Sequence, residues 1–281
     1  MNDYLKHLAQ EAALGRMGRR EFLGRAAALG VAALGANTLL ATAAKAAGPQ
    51  KGGTIRVGIQ GGSSADSLDP ALAANATATS VSRLWGEPLV ELDPMGGIWH
   101  RLAESYDASA DARVWTFKIR QGVTFSNGKE LTAEDVLATM ERHSGEESKS
   151  GALGIMRGIK SMRAEGSDFI IELDEPNADL PYLLTDYHLL IQPGGGKDDP
   201  AAGIGTGPYI LKSVEPGVRF VAEKNPNYWD DSLGHADTIE FIVINDDTAR
   251  VAALQSGQVH MINRVPPRTA RLVNRAPTID V

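Results

Sequence analysis

Hydrophobic and polar positions change period several times along this chain, and each change predicts an element. Ile55, Val57 and Ile59 fall two apart, on one face of a strand. The polar run from residue 60 to 70 predicts a loop. Ala78, Val81, Leu84 and Trp85 then recur at helical spacing, and Glu87-Pro88 closes that helix because proline disfavours helical geometry in its predecessor. Residues 89–92 predict a short strand, followed by the turn Asp93-Pro94-Met95-Gly96-Gly97. Trp115, Phe117 and Ile119 alternate, Val123 and Phe125 extend the pattern, and Asn127-Gly128 predicts a tight turn. Thr132 is placed to cap a helix with Glu134 and Asp135 in its first turn and Val136, Leu137 and Met140 on its buried face. Phe169, Ile171 and Leu173 form a further strand, ended by Glu175-Pro176. After a glycine-rich loop over residues 192–209, strands at 209–214 and 218–222 flank Glu215-Pro216-Gly217. Ile239, Phe241 and Val243, a helix over about 247–256 ended by Gly257, and a strand at 259–262 suggest a βαβ crossover. The pattern is that of a mixed α/β chain with a β-rich middle.

Charge divides the chain before chemistry does. Of 28 basic and 35 acidic residues, six and three fall in residues 1–46, leaving 22 against 32, a balance of −10 for residues 47–281. That acidity excludes a nucleic-acid binder, which needs clustered Lys and Arg on phosphates. Within 1–46, Gly18-Arg19-Arg20-Glu21-Phe22-Leu23 resembles a twin-arginine export signal. An uncharged, weakly apolar run from 26 to 44 follows, and Ala44-Lys45-Ala46 supplies small residues for an A-x-A cleavage site. A transmembrane anchor is the competing reading of that run, weakened by Asn37, Thr38 and Thr42. Residues 1–46 therefore read as a signal peptide for the periplasm, dependent on the twin-arginine translocase. The absence of cysteine excludes disulfides, thiolate metal sites, cysteine nucleophiles and a lipid-modified cysteine anchor.

Motifs for catalysis are missing. There is no G-x-S-x-G, H-E-x-x-H or G-x-x-x-x-G-K-[ST], and Gly194-Gly195-Gly196-Lys197 runs into Asp198 where a phosphate loop needs Ser or Thr. His100, His143, His188, His235 and His260 are scattered, without ligand spacing. No cofactor, metal site or catalytic group is expected.

Several blocks read in order resemble family 5 of the extracytoplasmic solute-binding proteins, the peptide, nickel and glutathione receptors of ABC importers. They are Asp66-Ser67-Leu68-Asp69-Pro70, the stretch from Trp115 through Asn127-Gly128, Thr132-Ala133-Glu134-Asp135-Val136, Gly205-Thr206-Gly207-Pro208-Tyr209 and Asn225-Pro226-Asn227-Tyr228-Trp229. The resemblance implies a type II periplasmic-binding-protein fold: residues 47–281 would be the first lobe, with a β-rich subdomain at about 85–190 and a hinge at about 262–281 toward a second lobe that is missing here. It implies a solute held between lobes, most readily a peptide, and a partner ABC permease in the inner membrane. By position the first lobe's contact loop is 61–68, where glycines admit a ligand to the backbone, Ser63, Ser64 and Ser67 offer hydroxyls, Asp66 a carboxylate, and Leu68 closes the loop. Tyr187, His188 and Tyr209 are expected to line the cleft. Trp99 and Trp229 read as packing before ligand stacking. The alternatives are a truncated, non-binding remnant of such a receptor, and an exported hydrolase, for which the serines and acids of the first loop lack a general base.

Overall fold

The computed structural model describes residues 3–13, 17–31, 33–276 and 279. The chain forms two units: residues 1–54, 235–237 and 265–281 make the first, and 55–234 with 238–264 the second. In the first, α1 (Asp3–Ala13), α2 (Arg19–Ala28) and α3 (Ala33–Ala47) bury Leu5, Leu8, Ala9, Phe22, Ala26 and Ala36 in a small apolar cluster. The apolar run from 26 to 44 is not one helix. α2 stops at Ala28, Gly30 takes φ 78°, and α3 restarts at Ala33. Among the described residues no helix is long and apolar enough to cross a membrane. The segment read as a hinge carries a helix at Pro267–Val273, while residues 277–278 and 280–281 lie outside the described residues.

The second unit contains the β-rich middle. β1 (Thr54–Ile59), α4 (Ala76–Trp85), the hairpin β2 (Val90–Leu92) and β3 (Ile98–His100), β4 (Ala103–Ala108) and β5 (Val114–Ile119) come first. They are followed by α5 (Ala133–Ser144), the short α6 (Leu153–Met156), β6 (Ile159–Glu165), β7 (Asp168–Leu173) and the short α7 (Leu180–Leu183). β8 (Tyr209–Glu215), β9 (Arg219–Lys224), β10 (Thr238–Val243), α8 (Asp247–Gln255) and β11 (Met261–Ile262) complete it.

β4, β5, β7 and β6 form an antiparallel sheet in that order, with Trp115 opposite Ile171 and Phe117 opposite Phe169. The two-residue period puts Phe117, Ile119, Phe169 and Ile171 on its inner face, where Val136 and Met140 of α5 complete a buried core. Each such side chain contributes roughly 1.5–3 kcal/mol by leaving water. α5 begins with a capping box: Asp135 N–H donates to Thr132 Oγ1 at 3.3 Å and Thr132 N–H to the Asp135 carboxylate at 3.1 Å. The predicted extension at Val123 and Phe125 is not a strand. Both side chains are buried in the core, but the backbone turns at Asn127-Gly128 with only an isolated bridge from Thr124 to Glu130.

The other sheet runs β11-β1-β10-β9-β8. β1 and β11 are parallel, pairing Val57 with Met261 and Gly58 with Ile262. Asp237 N–H bonds Gly53 O at 2.9 Å and Ile244 N–H bonds Ile59 O at 2.8 Å, a progression that makes β10 parallel to β1 as well. The chain thus passes from β10 through α8 to β11 across β1, the crossover that the alternation suggested. β8 and β9 add antiparallel strands on the far side.

Candidate functional site

Three strands of one sheet end together, and each is followed within two residues by a carboxamide: Gln60 after β1, Asn245 past β10, Asn263 after β11. These side chains lace the loop ends to one another. Gln60 N–H donates to Asn263 Oδ1 at 3.0 Å and Gly61 N–H to Asn245 Oδ1 at 2.9 Å. Asn245 Nδ2 donates to Gly62 O at 3.0 Å, and Asn263 Nδ2 to Gln60 O at 3.3 Å. Gly61 takes φ 100°, a conformation that a side chain would strain, and turns the chain out of the sheet.

From there the loop 61–68 is held by its own polar groups. The Asp66 carboxylate accepts from Ser63 N–H at 2.9 Å and from Asn75 Nδ2 at 2.6 Å, so both of its oxygens serve the loop's shape. Ser63 Oγ accepts from Ala65 N–H and Ser67 Oγ from Asp69 N–H, which leaves each hydroxyl hydrogen available. Ser63 and Ser64 are exposed, and Ser67 and Leu68 half-buried. Gly217, at the β8–β9 turn, backs the loop so closely that a Cβ there would stand 2.7 Å from Ser64 N. The expected residues Ser63, Ser64, Asp66, Ser67 and Leu68 thus share one rigidly braced loop that faces solvent.

The other three expected residues differ. Tyr187 is half-buried, its ring 4.0 Å from that of His188. His188 is buried: Nδ1 lies 2.6 Å from Asp186 Oδ1, and Nε2 lies 3.0 Å from Ala73 O. Its ring fills the place where Gly151 would carry a Cβ. Tyr209 is buried at the start of β8, at the far edge of the sheet from β11. His188 and Tyr209 are thus largely enclosed by packing. His188 braces the segment that follows the loop. Two further ties do the same: Arg142 Nη2 bonds both Asp69 oxygens at 2.6 Å, and Gly151 N–H bonds Ala71 O at 3.0 Å.

Two sequence landmarks meet at a residue that pattern reading passed over. Glu87, buried between Gly86 and Pro88, accepts from Arg101 Nη2 and Tyr228 Oη on one oxygen and from Trp229 Nε1 and Thr206 Oγ1 on the other. Arg101, itself buried, also donates to Asp230 at 2.9 Å and lies 4.5 and 4.9 Å from the ring centres of Trp99 and Trp229. Burial opposes its charge, but the facing carboxylates outweigh burial and hold its proton more tightly than usual. Burial, reinforced by Glu87, pushes the Tyr228 hydroxyl up beyond the ordinary phenol range. Asn225 joins the blocks by donating to Gly207 O at 3.0 Å. Trp99 and Trp229 are thereby packing groups on an arginine. A charged residue inside the apolar stretch 84–90 was the available signal for Glu87.

The glycine run at 194–196 also finds an explanation. Gly194 N–H donates to Asp135 Oδ1 at 2.7 Å, so the phosphate-like cradle receives the protein's own carboxylate. Burial would raise the Asp135 pKa, but Gly194 N–H, Lys129 and Thr132 together hold it below the usual carboxylate range. A cavity of about 280 Å³ beside this run, lined by Lys129, Gln192, Gly196 and Asp199 among others, contains none of the loop residues. Among the described residues no group of three or more His, Cys, Asp or Glu is arranged to hold a metal ion.

Comparison with known proteins agrees with this frame. Residues 98–281 match the family described as bacterial extracellular solute-binding proteins, family 5 Middle. The glutathione-binding protein GsiB of Escherichia coli is 28% identical over 259 residues, which cover 90% of this chain and 49% of GsiB. Among solved structures, the binding protein AgaA of A. tumefaciens R10 in complex with agropinic acid superposes with TM-score 0.75 at 27% identity, covering 80% of this chain and 46% of AgaA. The nickel ABC transporter protein of Bacillus halodurans gives 0.69 at 31%, covering 80% and 46%. The chain spans about half the length of the curated relatives it matches. These relatives are named for binding or transport, and the mixed α/β fold is that of type II periplasmic binding proteins. With a family match over more than half of its length and a sheet whose strand ends carry the braced loop, the chain belongs to the family 5 bacterial extracellular solute-binding proteins.

Proposed function

We propose that this chain captures a peptide or a related small solute as the first lobe of a periplasmic receptor and passes it to the permease of an ABC importer. The observation that carries this reading is the loop 61–68. It is solvent-facing, internally braced and set at the carboxyl ends of parallel β1, β10 and β11, where open α/β sheets take their ligands. Ser63, Ser64, Ser67 and the backbone beside Gly61 and Gly62 supply the contacts in this reading. Asp66 holds their geometry, Leu68 and Tyr187 offer apolar surface, and His188 supports the loop from behind. Export by the twin-arginine route rests on Gly18-Arg19-Arg20-Glu21-Phe22-Leu23.

Calorimetry of the full chain with reduced glutathione and with trialanine tests the reading. Saturable heat with one of them is expected, and Asp66→Ala, which releases Ser63 N–H and Asn75, should weaken it at least about tenfold, as loss of a charge-assisted hydrogen bond does. Absence of saturable heat with both probes would sink the peptide reading.

A further inference from the structure

Arg250 is fully buried on α8, and its surroundings are unusual for a buried cation. Its carboxylate partner is Asp247, 2.5 Å from Nη2, and that side chain is 42% exposed. The remaining donations go to neutral oxygens. Nη1 reaches Ile244 O at 2.9 Å and Asn245 O at 3.4 Å; Nη2 reaches Arg264 O at 3.3 Å and Gln60 Oε1 at 3.4 Å. Nε is buried and makes no hydrogen bond. The acceptors thus come from the three segments that leave β10, β11 and β1.

The arginine stem packs beside β1 at Gly58. A Cβ there would crowd methyl groups of Ile262 and Val259 at 3.3 Å and would lie in ordinary contact, 3.5 Å, with Arg250 Cγ. A planar guanidinium with five diverging donors can hold several oxygens in one frame, and a lysine ammonium on a flexible stem cannot.

We infer that Arg250 is the positioning residue of the solute loop: it fixes the three strand ends relative to one another, and so fixes where Asn245 and Asn263 meet Gly61 and Gln60. The inference rests on the reading of 61–68 as the solute-binding loop. Arg250 itself touches no solute, being buried beneath the carboxamides. Its role is to keep the loop's first two amides in the geometry that the loop needs before any ligand arrives.

Hydrogen exchange on the full chain, in the wild type, Arg250→Lys and Asp247→Asn, tests this directly. Exchange at the Gln60 and Gly61 amides should quicken about tenfold or more in Arg250→Lys, and measurably in Asp247→Asn, while Phe117 and Ile171 in the other sheet keep their protection. A purely structural arginine would lower the denaturation midpoint and leave these local openings unchanged. Asp247→Asn alters an exposed group and keeps the test alive if Arg250→Lys does not fold. Unchanged exchange at both amides in the folded variants overturns the inference. Titration of the same samples with reduced glutathione and trialanine separates the two readings. Binding by the wild type with unaltered exchange in the variants rejects Arg250 alone. Altered exchange without any binding rejects the peptide reading and retains the positioning.

Discussion

Arg101 and Arg250 are both enclosed by the same unit, yet the regions around them treat a buried cation in opposite ways. Arg101 meets carboxylates, with Glu87 and Asp230 in hydrogen-bond contact, Glu91 at 3.6 Å, and the ring centres of Trp99 and Trp229 at 4.5 and 4.9 Å. Arg250 meets main-chain carbonyls and one half-exposed acid. The first arrangement locks packing: Arg101 and Glu87 are both buried, and the cation is met by a carboxylate that is itself enclosed. The second gathers loops, because a carbonyl can be held only by fixing the chain that bears it. Buried charge is therefore used once to lock packing and once to set the shape of a surface.

Breaking the first arrangement should have the largest effect. Arg101→Met leaves Glu87 buried with only neutral donors, and loss of one partner of a buried ion pair costs about 3–5 kcal/mol. Urea unfolding should show this as a large drop in midpoint. Arg250→Met removes bonds to carbonyls that lie beside solvent, and its cost should be nearer 1–3 kcal/mol. Equal losses in the two variants would break the comparison, since the two regions would then be energetically alike.

A pH series sharpens it from another side. His143 on α5 is fully buried, with Nδ1 2.6 Å from Ser150 Oγ and Nε2 without a hydrogen bond. Burial, then the Arg142 charge, push its pKa down from 6.5 to about 4, with Asp69 and Asp186 opposing and His188 adding to the push. Folding therefore favours the neutral ring. Between pH 6.5 and about 4 the unfolded chain binds a proton that the folded chain refuses, so stability falls as pH drops through that window. The loss should approach about 3 kcal/mol. His143→Gln, which keeps a partner for Ser150 and does not titrate there, should flatten the profile. An unchanged pH profile in that variant would assign the dependence to other groups.

What was legible from residue order follows the same division. Alternation and capping placed β5, β7, α5 and the β10–α8–β11 crossover, because each depends on neighbours one to four residues away. The loop 61–68 was legible as a loop. Its bracing was not, since Asn245 and Asn263 lie some 180 and 200 residues from the amides that they cap. Glu87 and Arg101 were missed for a related reason: a charge inside an apolar run reads as a boundary until its donors, here from residues 206, 228 and 229, are brought to it by the fold. Val123 and Phe125 were misread because alternation reports which side chains are buried and not whether the backbone finds a ladder partner. His188 precedes the apolar run 189–191, and only the packing against Gly151 shows where its ring goes.

The smallest effect is expected at the other end of the loop that Arg250 underlies. The leading end of the loop 61–68 meets the carboxamides of Asn245 and Asn263, whereas Asp69, just past its trailing end, is tied to α5 by Arg142 Nη2, 2.6 Å from both carboxylate oxygens. This pair is partly exposed, at 22% and 11% for the two side chains, so solvent screens it and its net worth is about 1 kcal/mol or less. Arg142→Gln should therefore barely shift the unfolding midpoint. Its consequence should be local, because Asp69 N-caps the short helical turn Pro70–Leu72, Gly151 N–H holds Ala71 O within it and His188 holds Ala73 O just beyond. Exchange at Ala71, whose N–H bonds Asp69 Oδ1 at 3.0 Å, should rise a few-fold, with Gln60 and Gly61 unaffected. If those two amides respond as well, the ends of the loop are mechanically one, and Arg250 shares its positioning with α5.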